Sequence, residues 1–136
     1  MVRVDFAGGM RFVAQGKDGH EVVMDASPKS GGADSGARPI DVLLGALGGC
    51  TGMDVVAILR KMRTEPSHFA IEVDGERSEE GAKPFRTIHL TYVVDEGVPE
   101  ANARKAIELS LSRYCPVAST LAGVAEITYD VRVEAA

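Results

Sequence analysis

The reactive chemistry this sequence can offer lies in two thiols: Cys50, inside GALGGCTGMD, and Cys115, inside SRYCPVAST. A free cysteine is usually a small buried hydrophobe, but both of these sit where a thiolate is favoured. Cys50 follows Gly48-Gly49. If a helix restarts after those glycines, its sulfur lies over unpaired backbone N–H groups, which stabilise the charged form. Cys115 precedes Pro116, a residue suited to the first position of a helix, so Cys115 becomes the helix cap. Sequence alone leaves open whether the two meet. If they do, one thiolate can attack an oxidant and the other can resolve the sulfenic acid as a reversible disulfide. If they do not, both are inert core thiols.

Other polar residues offer less. Asp54 lies four residues after Cys50 and shares its face on a continuous helix. A carboxylate there raises the thiol pKa unless a cation intervenes; otherwise Asp54 pairs with an arginine or accepts a hydrogen bond. Arg38 is either a partner for the thiolate or a solvated loop arginine. Ser119 and Thr120 lack a base nearby and read as helix-surface residues. Met53 and Met62 read as core residues, compatible with lining an apolar pocket. His20, His68 and His89 fall in separate strands without metal-ligand spacing, so a metal site is not expected.

The elements that must position the thiols follow from periodicity and punctuation. Residues 2–6, 10–15 and 20–25 read as an antiparallel meander, turned at Gly8-Gly9 and at Gly16-Lys17-Asp18-Gly19. Residues 26–38 are small and polar, an exposed loop open to motion. Residues 39–63 read as a long helix beginning at Pro39, with Asp41 in its first turn and Arg60, Lys61 and Arg63 at its far end. It is apolar nearly all round and is expected to be buried in the middle of the fold. Gly45, Gly48, Gly49 and Gly52 are costly inside a helix; either something approaches this backbone closely or the helix breaks near Gly48-Gly49. Strands are expected over 68–77, 85–94 and 125–134, a helix over 99–113 and a short helix after Pro116. The sum is an α+β domain.

Composition bounds the rest. A chain of 136 residues with 45% apolar content fits a single domain spanning 1–136 with a core of its own. A net charge of −5 gives no basic face for nucleic acid. The start, MVRVDFAGGMRF, lacks the charged and apolar regions of a signal peptide. No stretch is expected to reach the roughly 18 apolar residues of a membrane helix. A cytoplasmic location, with no membrane partner, is the expectation. There a permanent disulfide is unfavourable.

The two cysteine segments also carry a resemblance. PIDVLLGALGGC followed by TGMDVVAIL resembles the central-helix signature of the OsmC/Ohr family, the osmotically inducible and organic-hydroperoxide-resistance proteins. RYCPVASTL resembles that family's second-cysteine motif, and the likeness runs over essentially the whole chain. It implies an OsmC-like two-layer α+β fold, with antiparallel sheets around a long buried central helix, in an intertwined homodimer whose active sites lie at the subunit interface. It assigns Cys50 as the peroxidatic thiolate and Cys115 as the resolving thiol. The implied reaction is reduction of organic hydroperoxides, or of hydrogen peroxide, with an external dithiol as reductant and no metal or cofactor.

The match departs from the family at two supporting positions. Ile40 stands where the family's peroxidases place a glutamate, and Asp41, next to it, either substitutes or only decorates the helix N-terminus. Met10 stands where they place an arginine, directly after the Gly-Gly turn. Arg11 is one residue off, which on a strand is the opposite face; Arg38 is the other candidate. The pattern GGCTGMDVV resembles the less characterised OsmC-like branch more than the dedicated hydroperoxide reductases. Two functions follow as expectations: a thiol peroxidase of the oxidative stress response, or a dimeric stress protein that binds a small ligand or electrophile without efficient turnover.

Overall fold

The computed structural model describes residues 1–135. By contact density the chain forms two compact units, Met1–Leu43 and the residues from Leu44 on.

The first unit is the meander read from the sequence: β1 (Arg3–Phe6), β2 (Phe12–Gln15) and β3 (Glu21–Met24), each antiparallel to the next. Gly8 and Gly9 both take positive φ in the first turn, a conformation that side chains resist. Phe6 pairs with Phe12 across this turn, ring centroids 5.4 Å apart. The polar loop that follows is not slack. The buried Asp25 carboxylate accepts from the backbone N–H groups of Ala26, Ala33 and Ser35 and from the Ser35 hydroxyl, at 2.7–3.2 Å. These bonds hold the Asp25 carboxyl far below the usual carboxylate range. One side chain thus satisfies the loop's backbone where no strand does.

Helix α1 (Pro39–Lys61) is continuous. It does not break at Gly48-Gly49, because part of the glycine run meets a close neighbour. A Cβ on Gly48 would lie 3.1 Å from Val73 Cγ2, and one on Gly52 would lie 3.2 Å from Ile71 Cδ1. Against the expectation of burial all round, only Leu47, Thr51, Val55 and Leu59 are buried, a single stripe at four-residue spacing. The membrane-span count also needs correction: an 18-residue window of this helix has mean hydropathy 1.9, long and apolar enough by length and composition to span. Glycines, a threonine and an aspartate interrupt the apolar run without pulling down its average.

In the second unit β4 (Phe69–Arg77), β5 (Phe85–Asp95) and β6 (Glu126–Glu134) form a sheet with β5 central. β4 and β5 are antiparallel as expected, whereas β5 and β6 run parallel, so this sheet is mixed. A helical crossover joins β5 to β6, and parallel neighbours need such a connection. It consists of α2 (Glu100–Leu109), a π-helical turn (Ser110–Tyr114) and α3 (Pro116–Leu121). The helix expected over 99–113 therefore stops being α-helical at Ser110. The core holds Ile88, Leu90, Tyr92 and Val94 from β5, with Ala103, Ala106 and Ile107 from α2.

Candidate functional site

Cys50 sits on the middle of α1, partly exposed, and Cys115 is 3% exposed; neither is in a disulfide. Because α1 is unbroken, Cys50 does not have the helix-start N–H groups that the sequence reading allowed it. Cys115 does cap α3, in extended backbone (φ −85, ψ 104), with its Sγ accepting from Ala118 N–H at 3.4 Å. That contact does not make it acidic. Burial pushes the Cys115 thiol up to about 11, outweighing the helix N–H groups, and the neighbouring Cys50 side chain pushes the same way. Two cysteines distant in sequence are thus near enough to influence one another, and the inner sulfur keeps its proton.

A chain of hydroxyls backs the pair. Thr51 Oγ1 lies 2.8 Å from the Tyr92 hydroxyl and 2.7 Å from Ser110 Oγ, and Ser110 donates to Asp54 Oδ2 at 2.8 Å. Asp54 therefore accepts a hydrogen bond, one of the three roles open to it in the sequence. Tyr92 stacks on Phe69 and meets Tyr129 edge-on, and burial pushes its hydroxyl up to about 12. Thr51 and Ser110 escaped the sequence reading. The signal was available: Thr51 breaks the apolar stripe of Leu47, Val55 and Leu59, and Ser110 extends the buried face of Ala103 and Ile107.

Two concavities border this region. A cleft of about 440 Å³ is lined by Cys115 itself with Arg113, Tyr114, Pro116, Ser119 and others. Nothing in the sequence marks the Arg113 guanidinium, two residues before Cys115: RYC points only to its cysteine. A larger groove of about 640 Å³ follows Gly45, Gly48, Gly49, Gly52 and Met53 along α1 and Phe69, Ile71 and Val73 on β4.

The other predicted residues lie in the first unit. Arg11 closes the Gly8-Gly9 turn, its N–H bonded to Gly8 O at 2.9 Å. It precedes β2, so strand alternation does not decide its direction. Arg38 pairs with Asp34 at 2.9 Å and donates to Gly36 O at 3.2 Å, the behaviour of a loop arginine. Asp41 is exposed in the first turn of α1, where it complements the helix dipole.

An α+β chain with one cysteine on a glycine-rich helix and another at a Cys-Pro cap is a narrow class. The family model for OsmC-like proteins matches residues 31–130, and the chain belongs to that family. It is 33% identical over 135 residues to Protein YhfA of Escherichia coli strain K12, covering 98% of each chain. A hypothetical protein from Aquifex aeolicus VF5 is similar in structure, with TM-score 0.81, 27% identity, and coverage of 98% of this chain and 96% of that one. An organic hydroperoxide resistance protein OsmC from Legionella pneumophila aligns with TM-score 0.71 over 97% of this chain and 96% of its own, at 13% identity. At that identity the likeness is one of fold.

Proposed function

We propose that this protein is a thiol-dependent peroxidase of the oxidative stress response, acting on organic hydroperoxides and working in the cytoplasm through Cys50 and Cys115. The observation that carries the reading is the placement of a partly exposed cysteine on the glycine-rich helix and a buried one at the Cys-Pro cap of α3, near enough for Cys50 to push up the Cys115 thiol. Cys50, the more exposed sulfur, attacks the terminal peroxide oxygen; the O–O bond breaks and the alcohol leaves with a proton. The Cys50 sulfenic acid is then attacked by Cys115, whose proton leaves with the hydroxyl as water, giving a disulfide. An external dithiol returns two electrons and two protons. The cleft that Cys115 lines, with Tyr114, Pro116 and cationic Arg113, suits approach of the reductant to the disulfide.

The working form in this proposal is a homodimer. Phe6 at 65% exposure, Phe12, Val4 and Val22 leave an apolar face on the first sheet, and Met53 stands 76% exposed on α1. Apolar patches of this kind mark interaction surfaces.

The test is stopped-flow oxidation of the reduced protein by cumene hydroperoxide and by hydrogen peroxide. Cys50→Ser is expected to abolish peroxide consumption, while Cys115→Ser permits one turnover followed by over-oxidation. A wild-type rate no faster than that of free cysteine would sink the assignment. Ile40 and Met10, in place of the glutamate and arginine of the family's peroxidases, favour a second reading: a small-ligand or electrophile-binding stress protein without efficient turnover. It predicts covalent trapping at Cys50 with negligible peroxide consumption.

A further inference from the structure

We propose that Ser110 is the positioning residue of the thiol pair, pinned to α1 by Thr51 and Asp54 so that the π-helical turn delivers Cys115 to Cys50. The proposal rests on the redox-pair reading above and adds what sets the spacing between the sulfurs.

Ser110 is tied in two directions. Its side chain meets Thr51 and Asp54, the residues one and four places after Cys50 on α1. Its carbonyl accepts the N–H of Cys115 at 2.8 Å, the bond that closes the π-helical turn. One residue therefore links the segment bearing one sulfur to the segment bearing the other. The turn is one residue wider than an α-helical turn, and such bulges re-aim the chain that follows them, often at functional sites.

The hydrogen-bond chain admits one arrangement. A hydroxyl has a single hydrogen to donate. Ser110 gives its hydrogen to Asp54, so at the 2.7 Å contact Thr51 must donate to Ser110, and at the 2.8 Å contact Tyr92 must donate to Thr51. The burial that pushes the Tyr92 hydroxyl up to about 12 keeps it a donor. Thr51, Tyr92 and Ser110 are buried, and no buried side-chain oxygen or nitrogen among the described residues is left without a partner. A fully satisfied buried chain fixes geometry in a way that apolar packing does not.

The test is equilibration of the protein with mixtures of oxidised and reduced dithiothreitol. The Cys50 and Cys115 thiols pass two electrons and two protons to the dithiothreitol disulfide, so that one protein disulfide forms as the reagent's opens. The position of equilibrium reads the effective concentration of one thiol at the other. Ser110→Ala and Asp54→Ala are each expected to lower it at least about tenfold, the scale on which misaligned groups lose advantage. Asp54→Asn, which keeps an acceptor for Ser110, is expected to restore most of it. Ile88→Val, a core truncation outside the chain, should hold it within about twofold, since separate sites act independently. Should Ser110→Ala fail to fold, Asp54→Ala at the partly exposed end carries the same test. Folded Asp54→Ala or Ser110→Ala protein within about twofold of wild type would overturn the proposal, as would a wild type that forms no disulfide under excess oxidant. A wild type that forms the disulfide but consumes no peroxide sinks the peroxidase reading and leaves this inference standing.

Discussion

The two sides of α1 are built from similar residues and meet different surroundings. On one side Leu47, Thr51, Val55 and Leu59 are fully buried. On the other, Gly45 and Gly49 face open space, and Met53 is 76% exposed beside the groove. Cys50 lies between. The sealed side is finished within the chain: among the described residues no buried side-chain nitrogen or oxygen lacks a partner, and the protonated Cys115 thiol is buried as well. The open side is apolar without being covered. The difference divides one helix into a side whose packing is completed within the chain and a side left apolar and open.

The largest effect that would sharpen this division is on stability. Leu59→Ala removes a fully buried side chain and is expected to cost about 2–5 kcal/mol, read as a lowered urea midpoint at unchanged slope. A loss under about 1 kcal/mol would mean that the sealed side relaxes around the gap, and the contrast with Met53 would disappear.

A second test uses alkaline pH. The folded state holds the Cys115 proton up to about 11, against an ordinary 9.0. Between those values the unfolded chain releases a proton that the folded one keeps, so unfolding becomes easier as pH rises. The stabilisation is intact below pH 9 and is lost progressively towards 11. Tyr92, pushed from 10.0 to about 12, continues the loss at higher pH. Urea midpoints of the reduced protein should fall across this range, and more shallowly in Cys115→Ala. Parallel curves for the two proteins would remove Cys115 from the sealed side.

The same two sides explain what the sequence made legible. Alternation of side chains located all six strands, and Pro39 and Pro116 marked helix starts that the structure keeps. Periodicity carries no strand direction, so the parallel pairing of β6 with β5 stayed hidden. The glycines of α1 announced a close approach, but Val73 and Ile71, which make it, come from a strand many residues away. Ser110 acts through partners distant in sequence and Asp25 through the loop that follows it, and neither matched a motif. Helix-start arguments correctly placed Cys115 as a cap but gave the wrong sign for its acidity. Capping is a local property, whereas removal from water depends on the whole core.

The smallest effect expected is at Met53, and its form matters more than its size. Within one chain, Met53→Ala removes little buried surface, so its intrinsic cost should stay within about 0.5 kcal/mol. If a second copy covers the open side, unfolding is coupled to dissociation, and the wild-type Tm rises with protein concentration. The Met53→Ala deficit should then be near zero in dilute solution, where chains are separate, and grow as concentration increases. The Leu59→Ala deficit is paid inside each chain and should appear at every concentration. Thermal scans over a wide dilution series distinguish these cases. A Met53→Ala deficit as large as that of Leu59→Ala, and independent of dilution, would break the comparison, because the open side would then be sealed by the chain itself.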